Sequence, residues 1–168
     1  QPVWEHCRRE GIDDPGAVPV APDLVEALVE LDRINDAEAV TERLRQLADE
    51  QDHPWGLASA DRCRAVIRFA TGNDIDQAQI ELSRAAESYR ALGLGFDAAR
   101  SQLALGRAQR RLRQWGAARR ALADAAAAFD GLGCAGWAIE ARTEQARVAG
   151  RKSPARDELT PTERHIAE

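Results

Sequence analysis

The sequence predicts an all-α fold in which helical hairpins stack into an α-solenoid. Leu, Ala, Arg and Glu dominate the composition, and these residues favour helix. No run of β-branched residues alternates with polar residues, which is the pattern of a half-buried strand. A pattern of apolar and small residues also recurs after 40 to 41 residues. Repeats of this length are typical of arrays in which each unit buries its apolar face against its neighbours.

The repeat is clearest in the second helix of each predicted hairpin. Its apolar positions step by three and four residues, which places them on one face of a helix. The matching positions are Ala78 with Ala118, Leu82 with Leu122, Ala85 with Ala125, Tyr89 with Phe129, and Leu92-Gly93 with Leu132-Gly133. We expect the apolar members, including Leu92 and Leu132, to be buried. Gly93 and Gly133 are expected to adopt the left-handed conformation just beyond their helices.

Periodicity and turn signals divide the chain into helices. They are predicted over residues 3–10, 23–32, 36–52, 54–70, 75–92, 95–113, 115–132 and 135–149, with Asn73 or Asp74 as the N-cap of the fifth. Residues 150–158 are predicted to be a polar linker. Thr160, Pro161 and Glu163 then have the order of an N-cap, a first helical residue and a capping box. We therefore expect a repeat array over 1–149, a linker over 150–158, and the truncated start of a further helical domain over 159–168.

Small residues at the predicted helix contacts point to a particular kind of repeat. Leu105-Gly106, Ala118, Leu122 and Ala125 resemble the core signature of the tetratricopeptide repeat. The tetratricopeptide unit has about 34 residues, whereas 40 or so is nearer to HEAT and armadillo units. The resemblance implies a longer, tetratricopeptide-like unit of two antiparallel helices, and the exact repeat subtype stays open.

The tail and the array together resemble a family of transcription regulators. Residues 159–168, Leu-Thr-Pro-Thr-Glu-Arg-His-Ile-Ala-Glu, are similar to the start of the helix-turn-helix domain of LuxR-type regulators. The order of the preceding segments resembles the C-terminal region of the large ATP-binding LuxR-type regulators. Those segments are Asp14-Pro15-Gly16, Pro22 to Leu28, Asp36 to Ala39, Pro54 to Ala58, Arg90 to Gly93, and Ala104 to Arg107.

The resemblance implies a function for the chain. In such regulators a nucleotide-binding module precedes a helical-repeat sensor, and a DNA-binding domain follows it. This chain would be the cytoplasmic sensor segment, which binds an effector or protein partner and relays that event to a DNA-binding domain absent from the chain. ATP is expected only in the N-terminal module, because the chain has no G-x-x-x-x-G-K-[ST] loop. DNA is expected to bind only through the helix-turn-helix domain.

Two alternatives from other classes stay open at this point. The first is a free-standing tetratricopeptide-like adaptor that binds an acidic peptide in a basic groove. The second is an array that serves only to cap or dimerise, so that the chain forms a homodimer without a ligand.

A basic stripe provides the candidate binding residues. The formal net charge is −5, yet the segment from Gly95 to Arg120 carries seven arginines and one aspartate. Arg100, Arg107 and Arg111 share one stripe of a first helix, with Arg110 at its edge. First helices line the concave face of tetratricopeptide arrays, so these four residues are predicted to form a groove for an acidic peptide, phosphate or carboxylate. The alternative is a solvated surface paired with neighbouring acids, which is common for charged helix faces.

Other motifs favour a protein that is not an enzyme. No Ser-His-Asp or Cys-His arrangement emerges from three scattered histidines. Residues 131–136 match G-x-G-x-x-G, but a helix rather than a strand precedes them, which favours a helix–helix turn without a cofactor. Only His6-Cys7 has close spacing among possible metal ligands, so no metal site is predicted. No segment approaches the roughly 20 apolar residues of a membrane span. Three widely spaced cysteines are typical of a reducing cytoplasm.

Overall fold

The computed structural model describes residues 2–149, and all regular secondary structure within that range is helical. The helices are α1 (Pro2–Glu10), α2 (Ala21–Glu30), α3 (Ile34–Glu50), α4 (Pro54–Thr71), α5 (Ile75–Ala91), α6 (Gly95–Arg111), α7 (Trp115–Gly131) and α8 (Ala135–Ala149). The all-α prediction is confirmed, and each predicted helix end lies within two residues of the observed one. The linker over 150–158 and the further domain start over 159–168 lie outside the described residues.

Short turns with a similar closing bond connect each helix to the next from α2 to α8. Every turn has three residues and is closed by a backbone N–H that donates to the carbonyl five residues earlier, at 2.8–3.1 Å. The pairs are Arg33 to Leu28, His53 to Ala48, Asn73 to Arg68, Leu94 to Tyr89, Gln114 to Gln109 and Cys134 to Phe129. This bond is the outer bond of a Schellman motif. Five of the six turns share one geometry, in which the third turn residue donates. In the α4–α5 turn the second residue, Asn73, donates, and Gly72 and Asp74 are both left-handed.

Left-handed residues make these turns possible. Gly93 and Gly133 have φ of 74° and 70°, which confirms the prediction from the sequence. Asp32, Asp52 and Arg113 hold the equivalent positions with φ of 57°, 48° and 61° although they carry a Cβ. Only the glycines were predicted to be left-handed, because a non-glycine residue adopts this conformation through its surroundings rather than by preference.

The helices pack in order along the chain, and alternate helices also touch. Each helix from α2 onwards contacts the next, and α2 contacts α4, α4 contacts α6, and α6 contacts α8. The repeated positions form the core between them. Ala78 and Ala118, Leu82 and Leu122, Ala85 and Ala125, and Tyr89 and Phe129 are all fully buried, as predicted.

One detail of the prediction is wrong, and a second is correct only in position. Leu92 and Leu132 are 40% and 48% exposed, because each follows the last residue of its helix and lies where the chain turns away from the buried face. Asp74 occupies the N-cap position of α5 but makes no capping hydrogen bond. Its carboxylate instead accepts a bond from Arg68 Nη1 at 3.2 Å.

The close contact predicted at Gly106 is present. A Cβ built on Gly106 would lie 2.6 Å from Leu122 Cγ, so α6 and α7 approach more closely there than a side chain would permit. At the corresponding position of the α4–α5 pair, Ala65 and Leu82 are both buried in one cluster. None of the helices within residues 2–149 has the length and apolar character needed to cross a bilayer.

A buried hydroxyl pair distinguishes one repeat from the next. Ser59 Oγ and Tyr89 Oη lie 2.7 Å apart, and both residues are completely buried. Burial raises the pKa of Tyr89, against the opposing effect of the Ser59 hydrogen bond, so the phenol stays neutral. Phe129 holds the position equivalent to Tyr89 and lacks the hydroxyl.

We expect Tyr89→Phe to lower the free energy of unfolding by about 1–3 kcal/mol, because it leaves the Ser59 hydroxyl buried without this partner. Ser59→Ala combined with Tyr89→Phe should cost less than the two single changes together, since both polar groups are then removed. Urea denaturation of the three variants measures the difference. A Tyr89→Phe variant with the urea midpoint of the wild type would show that the pair contributes nothing.

Candidate ligand-binding groove

A groove of about 510 Å³ runs across the alternate helices α2, α4, α6 and α8. Its apolar wall includes Val29, Val66, Phe69, Leu103 and Trp137. Its charged residues are Arg62, Arg100, Arg107 and Arg111 together with Glu26, Glu30 and Glu140. Pockets of roughly 300–1,000 Å³ with apolar walls and a few convergent polar groups are typical of small-molecule sites. We call this feature the Arg100 groove.

The structure brings three of the four predicted site residues to the Arg100 groove. Arg100, Arg107 and Arg111 line it. Arg110 is not part of the lining, and its Nε lies 3.2 Å from a carboxylate oxygen of Glu144 on α8. The helical spacing therefore predicted correctly which arginines share a stripe, while Arg110 lies at its edge and pairs with α8.

Acids from α2 and α8 reach most of this stripe. Arg100 Nη1 donates to Asp23 at 2.7 Å, and its Nη2 donates to Glu26 at 2.5 Å. Arg107 pairs with Glu140 and lies 3.7 Å from Glu144. Arg111 is exposed and has no ion pair to a residue between positions 2 and 149. The groove therefore has permanent positive charges, and the carboxylate partners of Arg100 and Arg107 are supplied by other helices.

Arg62 is the residue of the groove that the sequence analysis did not select. It is 2% exposed, lines the groove from α4 and pairs with Glu26. A signal was available, because Leu103 stands at the equivalent position of the next repeat, 41 residues later. A charged residue at a position that is apolar in the neighbouring repeat indicates a buried polar contact.

Aromatic rings hold Arg100 in place. Its guanidinium carbon lies 5.3 Å from the ring centre of Trp137 and 5.8 Å from that of Phe96. Phe129 stacks on Trp137 with centroids 5.6 Å apart, and Phe96 meets both rings edge-on. These cation–π contacts add to the ion pairs and fix the plane of the guanidinium.

Burial and charge act against each other on the ionisable groups of the groove. Burial favours a lower pKa for Arg100, but the neighbouring Glu26 and Asp23 outweigh it and raise that pKa, so Arg100 stays charged. Burial raises the pKa of Asp97 in the first turn of α6, although Arg100 and Arg62 act to lower it. The floor of the groove therefore carries the two fixed positive charges of Arg62 and Arg100. Burial makes the charged form of the nearby Asp97 less favourable than that of an exposed aspartate.

These groups are suited to binding anions. Guanidinium groups present planar, paired N–H donors that match carboxylate and phosphate oxygens. Cys63, the thiol nearest to the groove, is buried, and burial raises its pKa to about 12, so it stays protonated. No three His, Cys, Asp or Glu side chains between residues 2 and 149 are grouped to hold a metal ion.

A second depression, of about 620 Å³, lies beside α1, α2 and α3. Its charged groups include the exposed Arg8, Asp13 and Asp36 and the half-buried Arg43, and none is buried. Exposed charges are strongly hydrated and bind ligands weakly. The Arg100 groove, which has buried guanidinium groups, is therefore the better candidate site.

No family model, curated protein or solved structure matches this chain. The case for the Arg100 groove therefore depends on its geometry.

Proposed function

We propose that this chain is a helical-repeat interaction segment, a tetratricopeptide-like α-solenoid of antiparallel hairpins, that binds an effector or protein partner in the Arg100 groove. The observation that carries the proposal is the groove itself, in which four alternate helices surround the buried Arg62 and the side chain of Arg100, which is 10% exposed. The five equivalent turns and the contacts between alternate helices support the solenoid arrangement. This segment binds a ligand and does not transform it.

We further propose that the segment belongs to a cytoplasmic LuxR-type transcription regulator. The ordered segments described for the sequence support this assignment, and several of them begin helices, such as Pro54 to Ala58 at the start of α4. Ligand binding in the groove would be relayed to a helix-turn-helix domain that contacts DNA. ATP would bind to a separate nucleotide-binding module of the same protein.

The coding sequence on both sides of this segment tests the regulator proposal. We expect a nucleotide-binding module encoded upstream and a complete helix-turn-helix domain downstream. The full-length protein should then enrich one DNA sequence from a random pool, and the 168-residue chain should not. A gene without a helix-turn-helix region after codon 168, or a full-length protein that selects no DNA sequence, would rule the regulator out.

Arg111 favours a second candidate, the free-standing adaptor for an acidic peptide. It is exposed at the groove and has no described carboxylate partner, so an acidic side chain of a bound peptide has access to it. A peptide partner whose binding depends on Arg100, Arg107 and Arg111, and which has no link to transcription, would support the adaptor. Sedimentation of the chain would separately show whether it forms a homodimer.

A further inference from the structure

Within the proposed ligand groove, we propose that Arg62 and Arg100 form the binding site for the carboxylate or phosphate group of a small ligand with an aromatic body, and that Glu26 occupies this site when the ligand is absent. Ligand binding then displaces Glu26 and Asp23, and so releases α2 from α6. This inference rests on the groove being a binding site and names the chemistry of its ligand. We call Arg62 and Arg100 the buried arginine pair.

The Glu26 carboxylate is bound by both arginines at once. One oxygen of its carboxylate accepts from Arg62 and the other accepts from Arg100 at 2.5 Å. Two guanidinium groups from α4 and α6 thus converge on a single carboxylate from α2, which lies 74 residues away from Arg100 in the sequence. A ligand carboxylate or phosphate would need the same two donors in the same place.

The two arginines are more buried than the carboxylates with which they pair. The side chains of Arg62 and Arg100 are 3% and 10% exposed, whereas those of Glu26 and Asp23 are 31% and 66% exposed. The arginines are therefore fixed parts of the groove floor. The carboxylates stand on its solvent side, from which an incoming anion can replace them.

The buried arginine pair also has hydrogen-bond donors that lack an acceptor. The Nε atoms of Arg62 and Arg100 are both buried, and neither has a hydrogen-bond partner among the described residues. A buried donor without an acceptor is costly, so nearly all such groups in proteins are paired. An additional anion, and a phosphate with its three terminal oxygens above all, supplies the acceptors that Glu26 alone does not.

The walls of the groove define the rest of the ligand. Trp137 lies against the Arg100 guanidinium, and Phe69 and Leu103 line the same space. Flat aromatic groups pack well against such surfaces, and burial of the ring adds to the affinity. The ligand class is therefore a small aromatic carboxylate or phosphate monoester.

The structure also indicates what occupancy of the site would change. The ion pairs from Asp23 and Glu26 to Arg100 join α2 to α6, which belong to different hairpins. An anion bound to the buried arginine pair competes for the same donors. Helix α2 would keep its contacts with α3 and α4 but lose this link, so that the first hairpin becomes freer to move.

Titration calorimetry of the 168-residue chain at low salt tests the site with phenyl phosphate, benzoate and inorganic phosphate, and with benzyl alcohol as a neutral control. We expect phenyl phosphate and benzoate to bind, inorganic phosphate to bind more weakly, and benzyl alcohol not to bind. The tighter of the two aromatic anions identifies the preferred head group. Binding of benzyl alcohol as tight as that of phenyl phosphate would overturn the proposal, because the arginines would then contribute nothing.

The decisive variant is Glu26→Gln, with Glu30→Gln as the matched control in the same groove. Removing the internal competitor should tighten phenyl phosphate binding roughly tenfold, about the effect of one charge-assisted hydrogen bond. Glu30→Gln should change it less than twofold, since Glu30 does not contact the buried arginine pair. Glu26→Gln affinity equal to that of the wild type, or no anion binding by either protein, would overturn the proposal.

Arg100→Lys checks that the guanidinium is needed. Lysine keeps the positive charge but loses the paired N–H donors. The double variant Glu26→Gln/Arg100→Lys should therefore bind phenyl phosphate at least tenfold more weakly than Glu26→Gln. Its circular dichroism spectrum should be unchanged. If that double variant does not fold, amide exchange of the wild type decides. Phenyl phosphate should speed exchange over 21–30 in α2 and leave 115–131 in α7 unchanged. Unchanged exchange in α2 would contradict the release of that helix.

Failure of this inference differs from failure of the proposed function. If the aromatic anions do not bind, the regulator is still tested by its flanking coding sequence and by DNA selection. If the regulator assignment fails, phenyl phosphate titration still reports on the buried arginine pair.

Discussion

Gly106→Leu is expected to lower the free energy of unfolding by about 1–3 kcal/mol, the usual cost of forcing a larger side chain into a packed contact. The first added carbon alone would lie 2.6 Å from Leu122 Cγ and 2.7 Å from its Cδ2. Leu122 is fully buried and cannot swing into solvent. Helices α6 and α7 must therefore separate, and the repeat loses its closest contact.

Gly136→Leu is the matched control for that change. Gly136 lies in the first turn of α8, and a Cβ there meets no atom within 4 Å. We expect its stability to stay within about 0.5 kcal/mol of the wild type, as for most surface substitutions. Urea denaturation compares the two variants. Equal stability of Gly106→Leu and Gly136→Leu would show that α6 and α7 do not meet at Gly106.

Phe129→Ala is expected to lower the free energy of unfolding by about 3–5 kcal/mol, the usual cost of removing a buried aromatic ring. Phe129 is fully buried, stacks on Trp137 and meets Phe96 edge-on. Its removal would leave a cavity between α7 and the rings of Phe96 on α6 and Trp137 on α8, both of which contact Arg100. The Trp137 ring would lose the neighbour that fixes its plane.

Leu132→Ala provides the control, because Leu132 follows the same helix but is 48% exposed. Its substitution should change the free energy of unfolding by less than about 1 kcal/mol, as expected for a half-exposed side chain. Urea denaturation again gives both values. Similar losses for Phe129→Ala and Leu132→Ala would mean that the buried face of α7 has been assigned incorrectly.

The sequence was sufficient for the helices because their signals are local. Apolar spacing of three and four residues and the turn residues between helices determined each element without knowledge of its neighbours. Leu92 and Leu132 were misplaced for the same reason. They continue the apolar spacing beyond the helix end, and only the turn geometry shows that they lie outside the buried face.

Only the part of the groove formed by α6 could be predicted from the sequence. Arg100, Arg107 and Arg111 share a helix, so their spacing alone places them on one stripe. The carboxylate partners of Arg100 and Arg107 come from α2 and α8, which lie 33 to 77 residues away, and no local pattern connects them. Arg62 was missed because Ala58 and Val66, one turn away on either side, suggest an apolar helix face, although the repeat alignment with Leu103 carries a signal.

The central claim is that alternate helices share one face, so that α2 and α6 meet across the Arg100 groove. A double-mutant cycle of Glu26→Gln and Arg100→Gln, measured by urea denaturation of the full chain, tests it most directly, because residues 74 positions apart interact only in this arrangement. We predict a coupling energy between about 0.5 and 3 kcal/mol, as found for residues in direct contact. Effects that add within about 0.3 kcal/mol would contradict the arrangement.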